Sequence, residues 1–272
     1  MSTYTEDNRK VTTLRFSEMK QKGEKISMLT SYDFTMASIA DQAGLDAVLI
    51  GDSASNVMVG NSTTLPMTLD QMIFMGRSVV NGVKRAMVVI DMPFGSCSGN
   101  PEKSLEAAIR MMKETGADAL KIEGGEEIIE DIRKIVNAGI PVMGHLGLMP
   151  QSINKYGSYA IRAKDDKESK KLLSDIRLLE EAGCFSVVLE KIPAKLAEEA
   201  TKSTTMATIG IGAGPATDGQ VLVIHDMLGM NKGFSPKFLR KYADLHTVMT
   251  DAIQTYVKDV KSNDFPNEKE SY

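Results

Sequence analysis

Short apolar runs alternate with amphipathic stretches along almost the whole chain. The runs are "KISMLTSYD", "DAVLIGDS", "AMVVIDMPFG", "ADALKIEGG", "IPVMGHLGL", "FSVVLEKIP", "MATIGIGAG" and "QVLVIHDMLG". Each is rich in β-branched or other apolar residues, as a strand buried on both faces of a parallel sheet requires. The stretches between them carry helical periodicity. "PEKSLEAAIRMMKETGA" sets Leu105, Ala108, Ile109 and Met112 on one stripe, with Pro-Glu as a start signal and Gly116 as a stop. "DKESKKLLSDIRLLEEAG" does the same with Leu172, Leu173, Ile176 and Leu179, and Thr68 stands as the N-cap of a further helix. Eight strands about 30 residues apart predict an α/β fold, a (β/α)8 or TIM barrel of about 250 residues. It spans residues 1–272 as one domain, with a core over about 10–262 and a polar C-terminal tail, "KSNDFPNEKESY". The amphipathic "VTTLRFSEMKQKG" ahead of the first strand is expected to form a helix that closes the bottom of the barrel. An open doubly wound sheet also alternates strands and helices. The polar residues at nearly every strand end favour closure.

Those strand ends carry the chemistry. In "ADALKIEGG" alternation puts Lys121 and Glu123 on one face and Ile122 on the other. Barrel strands point their C-terminal ends into one mouth, where active sites form. Asp52 and Ser53 follow "VLIG", Asp91 follows "VVI", and Glu123 closes the fourth strand. Helix capping accounts for one Asp after a strand. Three carboxylates on successive strands repel one another and call for a cation. Hard oxygen donors suit Mg²⁺, and no Cys/His spacing suits zinc.

Lys121 either neutralises Glu123 or meets an anionic substrate and its developing charge. Carboxylate neighbours keep it protonated, which disfavours a Schiff-base role. Glu190, after "VVL" on the sixth strand, is placed across the mouth to take a proton. Pairing with Lys191 is disfavoured, because adjacent strand residues face opposite ways. For His145, a structural role and a ligand contact both stand, as do phosphate binding and close packing for "GIGAG".

Composition narrows the class. The formal charge of −4 leaves no basic surplus for nucleic acid, and no apolar run approaches membrane-spanning length. The N-terminus is polar, without an apolar signal core, and Cys97 and Cys184 are expected to be reduced thiols. The expectation is a soluble cytoplasmic protein acting on small molecules.

"GDS" (51–53), "DMPF" (91–94), "KIEGG" (121–125), "GHLGL-PQS" (144–152), the glutamate of "VLE-IP" and "IGIGAG-TDGQ" stand in an order and spacing that resembles the ketopantoate hydroxymethyltransferase family. The likeness runs from about Lys10 to Pro266. It implies a (β/α)8 barrel that self-associates as a homodecamer. The implied reaction moves a hydroxymethyl group from 5,10-methylenetetrahydrofolate to 3-methyl-2-oxobutanoate. The product is 2-dehydropantoate, for pantothenate and coenzyme A synthesis, formed through a metal-stabilised enolate. By matching position, Asp52 and Asp91 are metal ligands, and Glu123 binds the metal directly or through water. Asp52, Ser53, Asp91 and Lys121 contact the oxo acid, and Glu190 accepts the proton. The resemblance assigns no role to His145, which stands as a candidate support behind the ligands. The implied ion is one Mg²⁺ per subunit, with Mn²⁺ or Co²⁺ as alternatives. The chain departs from the family's pattern at Phe74-Met75, at Asn61-Ser62 and at Cys97. Rival readings are a lyase or mutase of the phosphoenolpyruvate-mutase kind, a phosphate- or flavin-binding barrel, and a non-catalytic scaffold. The first commonly carries a Lys-Lys-Cys-Gly-like loop that this sequence lacks.

Overall fold

In the computed structural model, which describes residues 9–272, eight parallel strands pair in chain order and close on themselves, β1 bonding to β8. The strands are β1 (Ile26–Thr30), β2 (Ala47–Ile50), β3 (Met87–Asp91), β4 (Ala119–Glu123), β5 (Val142–Gly147), β6 (Ser186–Glu190), β7 (Ala207–Ile211) and β8 (Gly219–Leu222). The helices are α1 (Thr13–Lys22), α2 (Phe34–Gln42), α3 (Ala54–Val57), α4 (Leu69–Gly82), α5 (Pro101–Thr115), α6 (Ile129–Asn137), α7 (Ile153–Tyr156), α8 (Asp166–Glu181), α9 (Ala194–Lys202), α10 (Ile224–Met227) and α11 (Leu245–Lys261). The barrel and its helices form one compact unit through Leu222, and Val223–Tyr272 forms a second. The reading of a polar N-terminus without a signal core falls largely on residues 1–8, outside the described residues. No helix among the described residues is long and apolar enough to cross a membrane.

Strand alternation divides the side chains into two sets. Leu49, Val89, Ala119, Met143, Val188, Ile209 and Val221 fill the barrel interior together with Phe16 and Met19 of α1. Phe16 meets Phe185 edge to face, with ring centroids 5.6 Å apart. The amphipathic segment before β1 therefore plugs the N-terminal mouth, as its pattern predicts. The opposite set, including Ile50, Ile90, Ile122 and Leu189, is buried on the helical side. Because Phe16 is fully buried against this interior, Phe16→Ala should lower unfolding free energy by about 3–5 kcal/mol, read by urea denaturation.

Three expectations need correction. On α5 the buried stripe is Ser104, Ala108, Met111 and Thr115, and Ile109 is exposed. Ser104 donates a hydrogen bond to Asp131 of α6, so a polar pair occupies the interface that a purely apolar count assigns elsewhere. On α8, Leu172, Ile176 and Leu179 are buried as predicted, but Asp175 is buried where Leu173 is only half-buried. Finally, no helix separates β7 from β8; the Gly- and Pro-containing loop 212–218 joins them. Thr68 does cap α4, in a reciprocal box with Gln71. Cys97 and Cys184 are both free, and burial pushes each thiol up to about 12.

Candidate active site

The alternation that fills the interior also delivers the polar groups. Two residues beyond Val89 comes Asp91, two and four beyond Ala119 come Lys121 and Glu123, two beyond Met143 comes His145, and two beyond Val188 comes Glu190. All project into the C-terminal mouth. Lys121 and Glu123 share a face because both line this site.

Lys121 Nζ lies 3.0 Å from Asp91 Oδ1 and 3.1 Å from His145 Nδ1. The other edge of the imidazole, Nε2, is 3.4 Å from Glu190 Oε2, while Nδ1 is also 3.3 Å from Glu123 Oε1. Lys121 thus pairs with Asp91 rather than with Glu123. His145 stands between Glu123 and Glu190, so Glu190 is not isolated on the far side of the mouth. The side chain of Glu190 is 17% accessible against 4% for Glu123, which makes Glu190 the carboxylate a substrate can reach.

Asp52 sits in the turn after β2, where its backbone N–H donates to Asp91 Oδ2 at 3.0 Å. Ser53 Oγ and Tyr32 Oη share a hydrogen bond of 2.8 Å. A Cβ on Gly51 would lie 2.6 Å from Ser53 Oγ and 3.7 Å from Asp91 Oδ2, so the missing side chain leaves room between them. Gln151 enters from the turn after β5. Its amide Nε2 donates to Asp52 Oδ2 at 2.8 Å and to the Met92 carbonyl at 3.0 Å, and its backbone N–H donates to Glu123 Oε2 at 3.0 Å.

The electrostatics follow from burial and crowding. Burial, then the Asp91 and Glu123 charges, raise the Asp52 carboxyl well above its ordinary range. Burial also raises Asp91, against the pull of Lys121. Burial works against the Glu123 carboxylate too, but His145, Lys121 and the Gln151 N–H outweigh it and hold its pKa low. For Lys121, burial opposes the charge, yet Asp91, Glu123 and Asp52 overcome it and raise the pKa, keeping the ammonium. Burial and Lys121 depress His145, but Glu123 and Glu190 prevail and lift it to about 9.

The residues fit a divalent cation. The buried oxygens Asp91 Oδ1 and Glu123 Oε1 face only Lys121 Nζ at 3.0 Å and His145 Nδ1 at 3.3 Å, and the donor set is hard oxygen. Among the described residues no three Asp, Glu, His or Cys side chains form a ready cage.

Other candidates serve the fold. Asp33 caps α2, accepting from the Met36 N–H at 2.9 Å. β8 stops at Leu222, so His225 and Asp226 are not at a strand end but in α10, where Asp226 accepts from Asn231. In "GIGAG", a Cβ at Gly210 would meet Thr217 Oγ1 and one at Gly214 would meet Ala194, both at 2.6 Å, so close packing accounts for these glycines. Of the departures from the family pattern, Phe74 is exposed on α4 and Met75 is buried. Tyr32 and Gln151 were not singled out from the sequence. Tyr32 could have been found by alternation, since it lies two residues past Thr30 of β1; Gln151 sits outside any strand.

The family model described as ketopantoate hydroxymethyltransferase matches residues 10–268. A protein from Bacteroides thetaiotaomicron named 3-methyl-2-oxobutanoate hydroxymethyltransferase is 70% identical over 98% of both chains. One of the same name from Flavobacterium johnsoniae is 61% identical over the full length of both. Among solved structures, a phosphonopyruvate hydrolase superposes with TM-score 0.63 at 12% identity, covering 96% of this chain and 93% of its own. A 2,3-dimethylmalate lyase of the phosphoenolpyruvate mutase/isocitrate lyase superfamily gives 0.59 at 15%, covering 96% and 91%. These two likenesses show the barrel fold alone. The full-length match and the high identities place this chain in the ketopantoate hydroxymethyltransferase family.

Proposed function

We propose that this protein transfers a hydroxymethyl group from 5,10-methylenetetrahydrofolate to 3-methyl-2-oxobutanoate, giving 2-dehydropantoate for pantothenate synthesis in the cytoplasm. The observation that carries this reading is the pairing of two environments in one mouth. Asp52, Asp91 and Lys121 form a buried, charge-rich floor, and Glu190 stands beside it as an accessible base joined to His145.

Asp52 and Asp91 would hold Mg²⁺, with Glu123 binding it directly or through water; Mn²⁺ and Co²⁺ satisfy the same donors. When bound, the ion polarises the keto group of the oxo acid and acidifies its C3 proton. Lys121, fixed by Asp91, offers an ammonium for the carboxylate of the substrate and for the enolate oxygen. Ser53, held by Tyr32, adds a hydroxyl on the same side. Glu190 removes the C3 proton, with the His145 ring beside its carboxylate, Nε2 lying 3.4 Å from Oε2. The enolate carbon bonds to the one-carbon unit, whose two bonds to the folate nitrogens break; water supplies the new hydroxyl oxygen, and tetrahydrofolate leaves. A cavity of about 240 Å³ beside the β5 loop is lined by Lys155, Arg162 and Lys171, balanced by Glu127, Glu168 and Asp175, with the Tyr156 ring among them. Arg162 there covers the Tyr156 ring at 4.2 Å.

The test is product formation from the oxo acid with and without the folate donor, and with and without Mg²⁺. Turnover requires both, and a folded protein yielding no 2-dehydropantoate in their presence overturns the reading. The family further suggests a homo-oligomer, a decamer. Light scattering at micromolar concentration should give a multiple of the 29.6 kDa chain mass, and a monomer would refute it.

A further inference from the structure

The loop after β5 ties the strand ends together. Gly147, at φ 95°, lies so close to β6 that a Cβ would come within 2.3 Å of the Glu190 carbonyl oxygen. Leu148 N–H donates to that same carbonyl at 2.9 Å. Met149 then leads into the turn Pro150–Ser152, closed by the Ser152 N–H on the Met149 carbonyl at 2.8 Å. The turn carries Gln151 back over the mouth to β4, β3 and β2, where it makes the three hydrogen bonds to Glu123, the Met92 carbonyl and Asp52.

The three carboxylates share one arrangement. Each has a single oxygen held by a neutral N–H: Asp52 Oδ2 by the Gln151 amide, Asp91 Oδ2 by the Asp52 backbone, and Glu123 Oε2 by the Gln151 backbone. The other oxygens of Asp91 and Glu123 are buried and face Lys121 Nζ at 3.0 Å and His145 Nδ1 at 3.3 Å. A neutral donor orients a carboxylate without cancelling its charge, so Gln151 sets the direction of Asp52 and Glu123 without neutralising either. Two of the three fixed oxygens are Gln151's work. Its amide is itself fixed, because Nε2 also reaches the Met92 carbonyl just past the end of β3.

We infer that Gln151 is a positioning residue that presets Asp52 and Glu123 for the divalent cation and, through the Met92 carbonyl, locks the β5 loop across the mouth. The inference rests on the proposed metal-dependent function. Partners that orient metal ligands typically control affinity by about 10- to 100-fold. Gln151→Met keeps the length of the side chain and the backbone N–H, and removes only the amide that holds Asp52.

The experiment is titration of full-length protein with Mn²⁺, free ion being read by electron paramagnetic resonance without substrate, and folding checked by circular dichroism. Gln151→Met should weaken Mn²⁺ by about 10- to 100-fold. Turnover at saturating Mn²⁺ should then recover, since Glu190 and Lys121 are untouched. Gln151→Asn, which keeps an amide one methylene short of Asp52, should show the same loss and decides the matter if the Met variant does not fold. Unchanged Mn²⁺ affinity in a folded variant overturns the inference, as does failure of both variants to fold, which would make Gln151 a structural residue. Failure of the wild-type protein to bind Mn²⁺ would instead remove the metal reading itself.

Discussion

Asp52→Ala and Asp91→Ala are each expected to abolish Mg²⁺-dependent binding of 3-methyl-2-oxobutanoate. Both carboxylates are buried, both come from adjacent strand ends, and they are linked by the Asp52 N–H on Asp91. With four carboxylates set against Lys121 and His145, the mouth carries surplus negative charge in a poorly solvated place. A divalent ion relieves that surplus only where ligand oxygens can reach it. The two variants should differ in stability. Asp52 has no cationic partner within ion-pair distance, so its removal leaves the metal-free protein about as stable as before. Asp91 is the nearest counter-ion of the buried Lys121, so its removal should destabilise the fold by about 3–5 kcal/mol. Calorimetric titration of the oxo acid with Mg²⁺ present reads the first effect, and urea denaturation of metal-free protein reads the second. Unchanged oxo-acid affinity in both variants would exclude them as ligands.

The barrel and much of the site were legible in the sequence for one reason. A strand's period of two connects the identity of an interior residue to the identity of the mouth residue two positions later. Val89 predicts where Asp91 points, and Val188 where Glu190 points. The N-cap at Thr68 was legible too, because its partner Gln71 is local. What escaped was non-local or polar. Ser104 is buried on α5 because Asp131 of another helix receives its hydroxyl, and no apolar count along α5 contains Asp131. Asp175 is buried because Gly125 lets it approach: a Cβ there would sit 2.3 Å from its carboxyl carbon, and the Glu126 N–H donates to it at 3.1 Å. Gln151 escaped because loop residues have no period, and its reach to Asp52 depends on a chain path that closure of the barrel creates. His145 was ambiguous in sequence for a related reason. Its meaning lies in standing between Glu123 and Glu190, on the strands to either side.

That placement of His145 sharpens what Glu190→Gln should do. The amide keeps the size of the side chain and an oxygen beside His145 Nε2, which lies 3.4 Å from Oε2 in the wild type. The charged floor of Asp52, Asp91 and Lys121 is untouched, so binding of Mg²⁺ and of the oxo acid should persist. What disappears is the capacity to hold a proton at Oε2. Turnover should therefore fall by roughly 10²–10⁴-fold. Exchange of solvent deuterium into C3 of the oxo acid should slow in parallel, because it needs the same base and no folate. If Glu190 serves only to anchor His145, the outcome differs: the variant loses stability, while exchange per folded molecule stays at the wild-type rate. Deuterium incorporation followed by NMR, with the folded fraction set by circular dichroism, separates the two. Wild-type exchange in folded Glu190→Gln protein would take Glu190 out of the chemistry and leave it as the residue that orients His145.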